Sequence, residues 1–295
     1  MPGTLSPQAQ FISIAHHPLR VFANDDLAHP AVEPTSAIVL IHGRWGDAQL
    51  GLDTAQTIAT RLNLPRLIIA PQLSHGAAGP PDMLQWPDAK WMAAELAEPS
   101  GISSFTVLDT IIAMLSNHAQ FPAMRHITLA GHSAGAQLLQ RYSVFFESAA
   151  CRLPVSFVIA NAGSYLYLDP IRPHHGGFAI PDAAQYPGYD DWKYGLQNRP
   201  AFLHGPAANY AQQNITYLLG ALDNDPADPG LDKRPAVRPQ GESRLARGQN
   251  YWRYLTQKFG KALRQQCLII PQTGHNMAGM FNHPSAAEAL FSSKP

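Results

Sequence analysis

The 295 residues carry 21 Lys+Arg against 21 Asp+Glu, leaving no formal net charge, and hydrophobic residues make up 45%. That balance excludes the electrostatic footprint of a nucleic-acid or anionic-membrane binder and suits a neutral or small-molecule ligand. No Ser/Gly-rich or charge-run linker divides the chain, so one large α/β domain spanning residues 1–295 is expected.

In chain order, Phe11–Ile14 and Arg20–Ala23, separated by His16-His17-Pro18, read as an opening antiparallel hairpin. The pattern then changes to short apolar runs without polar alternation: 37–41, 66–70, 127–130, 155–160, 215–219 and 267–270. Such runs are expected of strands covered on both faces. Helical periodicity falls near 48–62, 102–118, 134–149 and 247–263. In the second of these Ile102, Phe105, Leu108, Ile111, Ile112 and Leu115 share one face. The alternation of strands and helices predicts a mostly parallel, twisted sheet with helices on both faces.

Two stretches break the alternation. Residues 164–214 are rich in Pro, Gly, Tyr and Trp and read as a cap or lid insertion; residues 223–247 read as an irregular loop. The first follows a strand whose carboxyl end lies on the ligand-binding edge of an open α/β sheet. No long apolar run reaches the roughly 18 residues of a membrane span, and no charged segment followed by an apolar one stands near Met1. A soluble, cytoplasmic protein is expected, with secretion and a removed signal peptide as the alternative. Cys151 and Cys267 do not form a disulfide scaffold; two buried thiols are expected, with pairing left open.

The chemistry centres on Gly131-His132-Ser133-Ala134-Gly135, a G-x-S-x-G pentapeptide between a predicted strand and a predicted helix. Chance supplies this pattern in roughly one chain in ten of this length, so its context carries the weight. A serine hydroxyl is a weak nucleophile at neutral pH and needs a histidine to take its proton and an acid to orient that histidine. Asp223 follows the strand ending at Leu219, and His275 follows the strand Cys267–Ile270 after a short turn. Both stand at strand ends on the edge that carries Ser133, in the chain order Ser, Asp, His.

Alternatives stay open at each position. Ser133 fits an ordinary helix N-terminus, His275 competes with His204 and His283, and Asp225 and Asp228 are alternative acids. The acidic run Asp223–Asp228 lacks calcium-loop spacing, the His16-His17 and His174-His175 pairs lie in turn-like sequence, and G-x-G-x-x-G is absent. Neither metal nor cofactor is expected.

With His42-Gly43 after the first long parallel strand, these motifs make the chain resemble an α/β-hydrolase of the serine esterase and lipase branch, over nearly its whole length. The resemblance implies an α/β-hydrolase fold and a catalytic set of Ser133, Asp223 and His275. It further implies an oxyanion hole built from the backbone N–H groups of Ala134 and Arg44, with Trp45 the alternative to Arg44. Trp45, Trp86, Trp91, Tyr165 and Trp192 are expected to line the substrate pocket, since apolar walls hold small organic ligands. The stretch 160–167, with 191–195, is similar to a little-characterised hydrolase subgroup that suggests no substrate. The expected function is hydrolysis of a small-molecule carboxylic ester through an acyl-enzyme. The alternatives are amide, thioester or peptide hydrolysis or acyl transfer by the same residues, and a non-catalytic binding protein on the same fold.

Overall fold

A computed structural model of the protein describes residues 8–73, 79–98, 100–148 and 151–291. An antiparallel hairpin of β1 (Gln8–Ile14) and β2 (His17–Ala23) opens the chain. Then follow β3 (Ser36–Ile41), α1 (Ala48–Leu62), β4 (Leu67–Pro71), α2 (Ser104–Leu115), β5 (His126–His132), α3 (Ala134–Phe145) and β6 (Val155–Ala160). A small hairpin, β7 (Arg172–His174) and β8 (Gly177–Ala179), precedes β9 (Asn214–Gly220). The chain continues through α4 (Arg244–Phe259), β10 (Gln266–Ile270), α5 (Met277–Asn282) and α6 (Pro284–Phe291). The predicted end of the third helix at 149 lies outside the described residues.

Eight strands form one sheet in the order β1-β2-β4-β3-β5-β6-β9-β10, parallel from β4 onward. In β3, Val39 and Ile41 enter one core while Ile38 and Leu40 enter the other. An apolar run without alternation is thus a strand whose two faces are both buried. Each such side chain contributes about 1.5–3 kcal/mol by leaving water. One core gathers α2, α3 and α4 with the tyrosines Tyr165, Tyr167, Tyr210, Tyr217, Tyr251 and Tyr254; the other gathers α1, α5 and α6.

The last strand departs from expectation. β10 is an edge strand paired only with β9; Cys267 and Leu268 are half-buried and Ile269 is 52% exposed, so its apolar run does not mean cover on both faces. Both cysteines are unpaired, and burial pushes the Cys267 thiol up to about 12.

Residues 164–214 form no separate body. Tyr165, Leu166 and Tyr167 are fully buried, and Tyr165 stacks on Tyr251 of α4 at 4.7 Å between ring centroids. Further along, Arg172 is buried on carbonyls of Asp169, Ile171, Tyr189 and Tyr194, which closes the segment on itself. The helix predicted over 247–263 begins at Arg244, capped by the Ser243 hydroxyl, which accepts from the Ala246 N–H.

Candidate active site

Strand β5 ends where α3 begins, and the backbone reverses at one residue: Ser133 sits at φ 59°, ψ −112°. A non-glycine residue there is strained by about 1–3 kcal/mol, and such strain persists only where the surroundings enforce it. The two glycines enforce it. A Cβ at Gly131 would stand 2.5 Å from the carbonyl carbon of Gly135, and one at Gly135 would overlap the Ile41 carbonyl of β3. Strand and helix therefore approach as closely as backbone allows. Ser133 does not cap α3; its Oγ lies 2.9 Å from His275 Nε2.

His275 Nδ1 lies 2.7 Å from Asp223 Oδ2, which completes a Ser–His–Asp series across three strand ends. Asp223 is the acid that reaches His275. Its side chain is 4% exposed, its N–H donates to the Gly220 carbonyl, and its carbonyl accepts from Leu245 N–H. Arg244, equally buried, donates to Asp223 Oδ1 at 3.2 Å and to Asp228 Oδ1 at 3.1 Å. This guanidinium holds the Asp228 carboxyl below the usual carboxylate range. The acidic run thus gathers around an arginine. Among the described residues no three His, Cys, Asp or Glu side chains cluster as metal ligands.

The loop after β3 passes beside the serine: a Cβ on Gly43 would be 3.9 Å from Ser133 Cβ. His42 fixes that loop from below. Its Nε2 accepts from Leu73 N–H at 2.9 Å, so its Nδ1 carries the proton and donates to the Gly43 carbonyl at 2.7 Å. Burial lowers this imidazole to about 4, keeping it neutral. Arg44 and Ala134 face the same cleft as Ser133, and Ala134 opens the first turn of α3, where N–H groups have no intrahelical partner.

Two residues at the site were not singled out in the sequence. Asn161, at the end of β6, accepts from Gly220 N–H at 2.7 Å and donates to the Gly274 carbonyl at 3.0 Å. It joins the turn carrying Asp223 to the turn carrying His275. The signal was an asparagine just past a strand end, which also tolerates its φ of 49°. His132 lies fully under the site, its ring 4.7 Å from that of His275, and burial with the Arg244 charge keeps it neutral.

The expected aromatic pocket is corrected. The cleft over Ser133, about 440 Å³, is lined by none of Trp45, Trp86, Trp91, Tyr165 or Trp192. Trp86, Trp91 and Tyr165 are core, with Trp91 edge-on to His42 at 4.9 Å. Trp192 packs on Phe145 and donates to the Ala93 carbonyl, and Trp45 is 88% exposed with Arg44 over its ring. Large aromatics in turn-rich segments gain most by turning inward, as Trp86, Trp91 and Tyr165 do and Trp45 does not. Arg44, Met92, Gln137, Lys193, Leu231 and Arg234 are among the residues that face the space.

A profile of the Alpha/beta hydrolase family matches residues 38–290. The chain belongs to the alpha/beta hydrolase family. Among solved structures it is similar to poly(aspartic acid) hydrolase-1 from Sphingomonas sp. KT-1, at 21% identity over 94% of this chain and 96% of that one, TM-score 0.64. It is also similar to LpqC, a poly(3-hydroxybutyrate) depolymerase from Bordetella parapertussis (20%, 96% and 93%, 0.66). A third similar structure is an S-formylglutathione hydrolase from Agrobacterium tumefaciens (14%, 96% and 93%, 0.52). No protein of curated function matches the sequence. These likenesses show the α/β-hydrolase fold, and the family match supports an enzyme of hydrolase type. Among the described residues no helix is long and apolar enough to cross a membrane.

Proposed function

We propose that this α/β-hydrolase cleaves carboxylic esters, with Ser133 as nucleophile, His275 as general base and acid, and Asp223 orienting the imidazole. The observation that carries the reading is the continuous series Ser133 Oγ, His275 Nε2, His275 Nδ1, Asp223 Oδ2 at 2.9 and 2.7 Å. Such a series lets the hydroxyl lose its proton as it attacks.

Ser133 Oγ adds to the ester carbonyl and its proton passes to His275 Nε2. The tetrahedral oxyanion accepts from the Ala134 and Arg44 N–H groups, fixed dipoles that need no reorganisation as charge develops. Collapse breaks the bond to the alkoxy oxygen, which leaves as the alcohol with the His275 proton. Water, deprotonated by His275, then attacks the acyl-serine carbonyl, and the carboxylic acid departs as Ser133 regains its proton.

Turnover of a p-nitrophenyl short-chain ester tests this. Ser133→Ala is expected to lower kcat by orders of magnitude, up to about a million-fold, and to abolish labelling by a fluorophosphonate probe. Undiminished turnover in that variant would remove Ser133 from the mechanism.

A further inference from the structure

The cleft over Ser133 has a charge pattern that hydrolysis of a neutral ester does not use. Its solvent-facing lining carries both signs, with Asp88, Glu95, Arg44 and Lys233 all exposed. Deeper in the wall the signs do not balance. Lys193 lines the cleft, is half-buried, and among the described residues has no carboxylate within ion-pair distance; its ammonium stands 3.6 Å from the Met92 sulfur.

Of the acids near Lys193, Glu95 stands exposed in the solvent-facing lining and Asp232 is committed elsewhere. Asp232, the carboxylate in the adjoining wall, takes two bonds from the Arg234 guanidinium, at 2.6 and 2.9 Å, one from the Arg234 backbone N–H and one from the Tyr194 hydroxyl. Behind Lys193 stands a second cation. Arg141 is fully buried and spends its guanidinium on the carbonyls of Lys193 and Met92, the Ser164 hydroxyl and the Gln137 side-chain oxygen, all neutral acceptors. Burial, with the Arg141 and Arg234 charges, lowers the Lys193 ammonium to about 7 against the weaker opposing pull of Asp232 and Glu95. A cation held away from water without a counter-charge is costly, and an anion arriving there supplies what the fold omits.

Geometry connects this group to the reacting centre. Gln137 and Arg141 lie one and two turns along α3 from Ser133, and at 1.5 Å per residue Arg141 is about 12 Å from the serine along the helix axis. Gln137 and Lys193 line the same cleft as Ser133, and Arg141 anchors the Lys193 backbone, an arrangement that suits a ligand extending several bonds beyond the scissile carbonyl.

We propose that the cleft selects esters bearing a remote carboxylate, with Lys193 as the counter-ion that holds it. The inference rests on the ester-hydrolase reading and names its substrate class. An ion pair of this kind, formed in a partly dehydrated wall, contributes about tenfold or more in binding. A long uncharged acyl chain gains nothing comparable from these side chains.

The test compares kcat/KM at low ionic strength within two matched pairs. In the first, p-nitrophenyl hydrogen adipate and methyl p-nitrophenyl adipate differ in charge on the acyl side. In the second, 4-acetoxybenzoate and methyl 4-acetoxybenzoate differ on the alcohol side. In at least one pair the anion is expected to be favoured about tenfold or more, with the preference shrinking as salt screens the charges. Lys193→Met is expected to bring the ratio to within about twofold, and Lys193→Arg to restore part of it. Ratios at or below one in both pairs, with the neutral esters turned over, overturn the inference and leave the hydrolase reading standing. A preference that survives Lys193→Met removes Lys193 from it. If that variant does not fold, the intact enzyme decides: a ratio indifferent to salt overturns the proposal. Failure to turn over any of the four esters overturns the hydrolase reading, and this inference with it.

Discussion

At the scale of single residues, the site is held by groups that do no chemistry themselves. Asn161 ties Gly220 and Gly274 together, so the spacing of Asp223 and His275 depends on one side chain at a third strand end. Replacing it with glycine keeps the left-handed backbone accessible but removes both hydrogen bonds. Asn161→Gly is expected to lower kcat about tenfold to a hundredfold while KM stays within about threefold, because a misplaced imidazole harms the transition state more than ground-state binding. Steady-state kinetics on one ester reads this split directly; a change in KM alone would assign Asn161 to substrate contact instead. His42 has a similar part under the Gly43 loop. Its tautomer follows from its partners, since one ring nitrogen faces an N–H and the other a carbonyl.

At the scale of elements, the turn from β5 to α3 concentrates the constraint. Gly135 faces the backbone of β3, and a methyl group there would collide with the carbonyls of Ile41 and His42. Neither carbonyl has room to yield in a sheet interior packed like a crystal. Gly135→Ala is expected either to prevent folding or to lower the melting temperature by about 5 °C or more, since overpacking of this kind costs about 1–3 kcal/mol or more. Thermal unfolding by circular dichroism measures it; a shift of only a degree or two would mean that the helix can slide. The insertion at 164–214 works by the same inward logic. Its tyrosines join the core of α4, so the segment presents Lys193 to the cleft from a packed base.

At the scale of the whole molecule, buried imidazoles make stability fall with acid between about pH 6.5 and 4. His42 falls to about 4 from 6.5, and burial also lowers His126 and His132. The unfolded chain takes up protons that the folded one refuses, so the contribution is complete above about pH 6.5 and is lost as pH falls toward 4. For His42 alone this amounts to about 3 kcal/mol. Asp109 and Asp190, whose carboxyls burial pushes up, act in the opposite sense near the bottom of that window. The difference between variants is therefore the cleaner measurement. His42→Asn is expected to be less stable than the parent in urea at pH 7.5 yet to lose less between pH 6.5 and 4.5. Parallel curves over that interval would show that His42 does not titrate across it.

Much of this protein was legible along the chain. The strand and helix pattern and the α/β-hydrolase class were readable, and Ser133, His275 and Asp223 could be named as candidates, because each depends on periodicity or on position relative to a strand end. Local sequence could not separate Asp223 from Asp225 and Asp228. That choice needed a through-space distance, and it fell to Asp223 because its backbone is pinned between Gly220 and Leu245 while Arg244 draws Asp228 aside. The pocket was misread for a related reason: an aromatic side chain in a loop has the same composition whether it faces solvent, ligand or core. What the sequence alone determined was the order of elements and the chemical types at the strand ends, since these follow from local spacing. Only the tertiary structure decided that Trp45, Trp86, Trp91 and Trp192 would not line the cleft and a lysine would, because burial and counter-charge are set by residues far apart in the chain.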